Sequence, residues 1–493
     1  MSIIAYTILG VYCVALFYIT GYCLLQFHLL YKYRKGRPSP KATPATKLET
    51  DELPFVTIQL PIYNELYVIE RLIDRVTEFH YPKNKFEIHV LDDSTDETIE
   101  IVRKKVEYYK SKGFQIEQIR RENRVGYKAG ALKEATHRAK GDFIAIFDAD
   151  FLPKRNFLLR TIPHFKNPKI GVVQTRWEHI NRDYSMLTKL QAMQLNVHFT
   201  VEQQGRKSGN YMLQFNGTAG VWRKATIESA GGWEADTLTE DLDLSYRAQL
   251  KGWEIIYLEK FGSPAELPAE MNGLKSQQFR WMKGGAETAR KMLPTIWQSD
   301  LSLPQKLHAT GHLMGSTIFI FVFIAGVFSV PLLFVLQEIG FDTRIFGFFL
   351  ISLLSVIAVY YVANVPAEIK EESHFRKVAK FLLLFPVFLA LSMGLSLHNT
   401  IAVVQGWWGK ESPFVRTPKF NIKGLRDTFR KQKYFNSKVS WTTIFEGLLS
   451  LYFMFGLIAG WQMEENSFLL YHALLMLGFG TIFYYSIRHL NIR

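Results

Sequence analysis

Phe143-Ile144-Ala145-Ile146-Phe147-Asp148-Ala149-Asp150 is a short apolar run that stops abruptly on two carboxylates. An unbroken apolar run of this length reads as a buried strand. Two earlier runs end in a similar way. Phe55-Val56-Thr57-Ile58-Gln59-Leu60 leads into Pro61-Ile62-Tyr63-Asn64-Glu65, and Phe86-Glu87-Ile88-His89-Val90-Leu91 leads into Asp92-Asp93. Amphipathic stretches separate the runs, and strands alternating with helices predict an α/β domain built on a mostly parallel sheet. Ligands of such sheets bind beyond the carboxyl ends of the strands, where all three runs deliver acidic or amide groups.

The 493-residue chain is 48% hydrophobic and 14% aromatic, with a mean hydropathy near zero. That average hides a charged, mixed segment between residues 53 and 297 and apolar blocks on either side. A helix needs about 20 apolar residues to cross a hydrocarbon core of ~30 Å. Segments 3–30, 311–336, 345–365, 381–404, 441–460 and 468–485 meet that need. Segment 3–30 lacks a basic start, exceeds a secretory signal core and is followed by positive charge, so it reads as a retained span. Its two cysteines, Cys13 and Cys23, are the only ones in the chain and form neither a disulfide framework nor a zinc pattern.

Net charge is +14. Much of the excess flanks the apolar blocks, in Lys32-Tyr33-Arg34-Lys35-Gly36-Arg37 and in the run from Arg426 to Lys438. Juxtamembrane Lys and Arg mark the cytoplasmic side, so membrane topology accounts for this charge and nucleic-acid binding is not expected. Loop 338–344 suits the outside, whereas 368–380 and 410–438 suit the inside. One crossing at 381–404 cannot join two inside loops. A re-entrant or interfacial path is expected there, bending near Pro386 or 392–394. The expected organisation is a transmembrane helix over 1–31, a linker over 32–52 and a catalytic domain over 53–271. Interfacial amphipathic helices over 272–310 and a membrane region over 311–493 complete it.

The acidic motifs carry the chemistry. Asp148 and Asp150 fit either a turn with two solvated carboxylates or a chelate for Mg²⁺ or Mn²⁺, which favour oxygen ligands and phosphates. Asp92 and Asp93 fit a nucleotide contact, and the following Ser94 to Thr98 also resemble a helix start. Lys128, between Gly126 and Gly130, fits a diphosphate contact near a helix start or a solvated lysine. Asp241, in Thr239-Glu240-Asp241, fits a general base for a sugar hydroxyl or a carboxylate stabilised at a helix N-terminus. Gln277, Arg280 and Trp281 share one helix face by their spacing. Arg280 can bind phosphate, Trp281 offers a flat face to a sugar ring, and the same helix reads as interfacial.

In this order, the Asp, Asp-x-Asp, Thr-Glu-Asp and Gln-x-x-Arg-Trp motifs resemble the processive family-two membrane glycosyltransferases. These include cellulose, hyaluronan and chitin synthases and the cellulose synthase-like mannan and glucan synthases, the last being the closest in look. The resemblance implies a GT-A-like nucleotide-sugar-binding domain with a multi-span helical membrane domain. It implies Asp93 at the nucleotide, Asp148 and Asp150 at a metal-bound diphosphate, Asp241 as base, Arg280 as a diphosphate ligand and Trp281 as the acceptor platform. Phe215-Asn216-Gly217-Thr218 resembles the loop bordering the acceptor sugar. Phe414-Val415-Arg416-Thr417-Pro418-Lys419 resembles the gating loop of cellulose synthases, with Arg416 where they carry Val and with Thr417 and Lys419 kept.

The implied activity is inverting transfer from a cytosolic nucleotide-sugar, UDP-glucose or GDP-mannose, to a growing β-linked polysaccharide in a bacterial inner or Golgi-type membrane. A ceramide glucosyltransferase or polyprenyl-phosphate sugar synthase is the alternative within the same chemistry. A channel with an incidental soluble domain is disfavoured, because few ionisable residues lie inside the apolar blocks. Membrane lipid is an expected partner, and the sequence identifies no export partner.

Overall fold

Val56, Ile58 and Leu60 are buried on one face of their strand, and the intervening Thr57 and Gln59 are buried on the other. A strand enclosed on both faces belongs inside a parallel sheet covered by helices. The computed structural model describes residues 2–36, 52–365, 373–422, 424, 427 and 439–490. Its strands are β1 (Val56–Ile62), β2 (Phe86–Asp92), β3 (Ile116–Ile119), β4 (Phe143–Ile146), β5 (Ile170–His179), β6 (Gly220–Arg223) and β7 (Glu254–Ala265). They form one seven-stranded sheet in the order β3-β2-β1-β4-β6-β5-β7.

β1 pairs in parallel with β2 and β4, β2 with β3, and β5 with β7. β6 alone runs against its neighbours β4 and β5. The sheet is therefore mostly parallel, as the three acidic-ended runs predict. The reversed β6 has only four residues, too few for its direction to be legible in the sequence.

Alternation splits β4 between two cores. Ala145 and Phe147 join Val56, Ile58 and Leu60 on one face, while Ile144 and Ile146 join Trp222 and Leu244 on the other. Each buried aromatic ring here contributes roughly 1.5–3 kcal/mol by leaving water. Register aligns Ile62 with Asp92, and Phe147 N–H donates to Gln59 O at 3.1 Å. Glu65, Asp93 and Asp148 thus emerge from neighbouring strand ends at one edge of the sheet.

Five helices bear on the site: α1 (Ser2–Lys35), α2 (Tyr127–Arg138), α3 (Met186–Val197), α4 (Glu240–Leu250) and α5 (Met271–Gln298), of which α2 and α4 pack on the sheet. Beyond α5 lie α6 (Ile318–Ile339), α7 (Leu350–Asn364), α8 (His374–Gly394), α9 (Ser396–Trp408), α10 (Trp441–Gln462) and α11 (Leu469–Arg488). Among the described residues six helices are long and apolar enough to cross a membrane: Ile3–Lys35, Leu303–Ile339, Phe346–Asn364, His374–Gly394, Trp441–Gln462 and Asn466–Arg488.

The segment expected over 381–404 is not one helix. It comprises the end of α8 and most of α9, which meet at Leu395. Pro386 stays inside α8, and the break follows Gly394, where a Cβ would come within 2.4 Å of the Gly478 backbone. Phe381, Phe385, Phe388 and Leu391 of α8 cluster with Leu190 and Met193 of α3. His398 on α9 meets the Lys275 carbonyl of α5 at 2.9 Å, and the Trp407 carbonyl receives Arg290 at 3.4 Å. The α8–α9 pair thus packs against helices of the catalytic half at both of its ends. Residues 37–51, 366–372 and most of 423–438, which hold much of the expected linker and parts of the expected inside loops, fall outside the described residues.

Candidate active site

Thr218 Oγ1 accepts the Asp148 N–H at 2.8 Å and fixes the turn that follows β4. Asp148 Oδ1 accepts from Lys128 Nζ at 2.6 Å, and the same ammonium donates to the Gly217 carbonyl at 2.9 Å. Lys128 reaches them because α2 starts from Gly126 at φ 72°, a left-handed conformation that glycine adopts without Cβ strain. Burial works against the Lys128 charge, but Asp148 and Glu240 hold its pKa above the ordinary lysine value. Burial raises the Asp148 pKa in spite of Lys128.

Asp150 Oδ2 accepts from Lys419 Nζ at 2.7 Å, and Lys419 also bonds to the Glu266 carbonyl. Each carboxylate of the dyad therefore gives one oxygen to a lysine and keeps a second, Asp148 Oδ2 and Asp150 Oδ1. An oxygen-only donor set fits a hard cation such as Mg²⁺ or Mn²⁺. A different acidic group, Glu234, Asp236 and Asp243, also clusters closely. Lys291 fills it, at 2.5, 2.8 and 3.1 Å from the three residues, and Arg247 pairs with Asp243 at 2.7 Å. That group fastens α4 to α5 and does not fit a metal.

Asp93 is gripped by Arg121 through both carboxylate oxygens, with Nε at 3.0 Å from Oδ1. Beside it, cations and rings alternate. The Arg124 guanidinium lies 3.3 Å from the Tyr63 ring centroid and 5.0 Å from that of Tyr127. Tyr127 stacks on Phe414 at 5.8 Å, and Arg280 lies 4.5 Å from the other end of this series, over Phe414. Arg280 Nη2 donates to Thr417 Oγ1 at 2.9 Å.

Asp241 stands in the first turn of α4. Burial, then the charge of Glu240, pushes its carboxyl up to about 7 against the pull of Lys128. A Cβ placed on Gly217 would lie 3.1 Å from Asp241 Oδ2, so the left-handed Gly217 (φ 74°) permits a close approach that a side chain would obstruct. Gln277 and Trp281 face the same space from α5.

Asp93, Lys128, Asp148, Asp150, Asn216, Gly217, Asp241, Gln277, Arg280, Trp281, Thr417 and Lys419 all line one cavity of about 940 Å³. The same cavity extends between membrane-type helices, where Thr20, Tyr22, Ser352, Tyr360, Ser392 and Tyr471 line it. Residues 414–422 close it on one side. Arg416 Nη1 lies 3.1 Å from Glu65 Oε2, the Phe420 N–H donates to Glu266 Oε1 at 2.8 Å, and Arg71 Nη1 donates to Asn421 Oδ1 at 2.6 Å. Glu65, Arg121 and Glu266 are site residues that the sequence reading does not single out. Glu65 follows β1 and Glu266 follows β7, as Asp93 follows β2, so the strand-end pattern is the signal for these two carboxylates, and Arg121 carries none.

Residues 54–284 match the family described as glycosyltransferase like family 2. The chain carries a family 2 glycosyltransferase domain. Probable glucomannan 4-beta-mannosyltransferase 4 of Oryza sativa subsp. japonica is 44% identical over 266 residues, 53% of this chain and 48% of that protein. Glucomannan 4-beta-mannosyltransferase 7 of Arabidopsis thaliana is 44% identical over 252 residues, 50% of this chain and 45% of that protein. The chain spans about half the length of the curated relatives it matches. A mannosyltransferase from Pyrobaculum calidifontis, solved in complex with GDP-Man and Mn²⁺, aligns with a TM-score of 0.51 at 18% identity, covering 82% of this chain and 100% of that one. The family 2 transferase domain shares that fold, a GT-A-like sheet domain.

Proposed function

We propose that this glycosyltransferase, embedded in a membrane with its catalytic domain on the cytosolic side, moves a hexose from a nucleotide diphosphate sugar to the end of a β-linked glycan. One observation carries the reading: Asp241, the Asp148–Asp150 dyad and Trp281 all line a single cavity. Asp148 Oδ2 and Asp150 Oδ1 are the atoms that would hold Mg²⁺ or Mn²⁺. Such an ion, when bound, would neutralise charge growing on the diphosphate leaving group. Asp93 is assigned to the nucleotide, and Lys128, Arg280, Thr417 and Lys419 to the diphosphate. Trp281, Gln277, Asn216 and Gly217 seat the acceptor sugar, whose attacking hydroxyl gives its proton to Asp241 as the new glycosidic bond forms.

Mannose is the favoured sugar, because the curated relatives are glucomannan mannosyltransferases. The continuation of the cavity among the membrane-type helices favours a long acceptor over a single addition. Purified protein is to be offered GDP-mannose or UDP-glucose with Mg²⁺ or Mn²⁺, with released nucleotide diphosphate and product length by gel filtration as readouts. Release from GDP-mannose with a polymeric product is expected. A single-sugar lipid product would replace this reading with a glycolipid synthase, and release from UDP-glucose alone would overturn the choice of mannose.

A further inference from the structure

The turn over His198–Glu202 at the end of α3 is wound as a π-helix, a form that recurs at functional sites. It sets the His198 ring between two acceptors. Nδ1 lies 2.9 Å from Glu202 Oε2, and Nε2 lies 2.7 Å from Asn216 Oδ1. The Asn216 amide nitrogen faces the Gln214 carbonyl at 3.5 Å, which turns its oxygen toward the ring. The ring thus bridges the Glu202 carboxylate and the Asn216 side chain, one nitrogen to each. Burial opposes the Glu202 charge, but Arg206 and then His198 outweigh it and hold that carboxyl well below the usual range. The Glu202 carboxylate is therefore a charged anchor for the ring within the same turn.

Beyond Asn216 the chain reaches Gly217, whose carbonyl holds Lys128 and whose Cα faces Asp241. The Asn216 N–H is itself tied to Gln174 Oε1 at 2.9 Å. With its oxygen fixed by His198, and only a long contact from its nitrogen to Gln214, the Asn216 amide presents N–H to the cavity it lines. A donor held there suits a sugar hydroxyl next to the base.

We propose that His198, clamped by Glu202, is a positioning residue that acts through Asn216 to hold the acceptor sugar beside Asp241. The proposal rests on the glycan-acceptor reading above. Lys128 bonds to Asp148 directly, without passing through Asn216, so the metal and donor side is expected to survive loss of the clamp.

The test uses full-length protein in nanodiscs, GDP-mannose, Mn²⁺ and a β-linked manno-oligosaccharide primer, comparing wild type with H198A, H198Q, N216A and H198A/N216A. Loss of the His198–Asn216 hydrogen bond predicts a rise of up to about tenfold in primer KM for H198A, with Mn²⁺–GDP affinity within about twofold of wild type. H198A/N216A is expected to be no worse than N216A, and H198Q, which restores a neutral donor, to recover part of the loss. If H198A does not bind Mn²⁺–GDP, H198Q carries the same comparison with N216A. Losses that multiply in the double variant, or a parallel fall in nucleotide affinity in H198Q, overturn the proposal. If wild type releases GDP but extends no primer, the glycan reading fails and this inference fails with it. If wild type extends the primer and the variants do so equally well, only this inference fails.

Discussion

A carboxyl that titrates near neutrality can take a proton from a sugar hydroxyl and release it again to water. Asp241 has that property because it is buried next to Glu240, with Lys128 only partly offsetting both effects. A base must be ionised to act, so transfer should fall as pH drops below about 7 and level off above it. A rate profile between pH 5 and 9 checks the sign, and a profile flat through 7 would assign the base elsewhere. Asp241→Asn keeps the shape without the acceptor site, and its turnover should fall by about 10²–10⁴-fold while donor binding persists. Asp150→Ala removes a proposed metal ligand and also frees Lys419, so transfer should vanish in a protein that still folds, and EDTA should mimic it. Activity that survives both treatments would refute the metal assignment. Asp148, Asp150 and Asp241 are legible in sequence because each sits at a strand end or helix start in an ordered motif. Arg121 and His198 are not, since only the fold brings them to Asp93 and Asn216.

At the scale of elements, residues 414–422 matter most. Arg416 stands where cellulose synthases carry Val, and it is paired with Glu65, whose carboxyl burial pushes up to about 7 against the pull of Arg416. Arg416 and Glu65 are only 12% and 15% exposed, and removing one partner of a buried pair can cost about 3–5 kcal/mol, less where the orphan takes up a proton. Arg416→Val should therefore loosen the segment and raise donor KM by about tenfold, with Glu65→Gln in the same chain restoring part of the loss. Donor titrations at fixed Mn²⁺ measure this, and an unchanged KM would mean that the segment does not touch the donor. The strand ends could be read from apolar runs that stop on acids. A bend near 392–394 could be read from the charge of the flanking loops, but its cause could not, because Gly394 meets Gly478, a contact between helices far apart in sequence.

Over the whole molecule, the chain joins a mostly parallel sheet domain to helices long enough to cross a membrane, and one cavity serves both. The two-part organisation follows from composition alone, since charged and apolar blocks separate cleanly along the chain. The continuity of the cavity does not, because it is formed by side chains from α1, α5 and the later helices that have no pattern in common. The central claim is that Trp281 stands where sugar transfer passes into this continuation. An indole covers the apolar face of a sugar ring, which Ala cannot do and Phe or Tyr can do in part. Donor hydrolysis needs only the dyad, the leaving-group contacts and water. The decisive measurement is the ratio of polymer elongation to donor hydrolysis in nanodiscs for wild type and for Trp281→Ala, Trp281→Phe and Trp281→Tyr. The account predicts a ratio that collapses in the Ala variant and partly recovers in the other two. Elongation and hydrolysis falling together, or Phe performing no better than Ala, would contradict it.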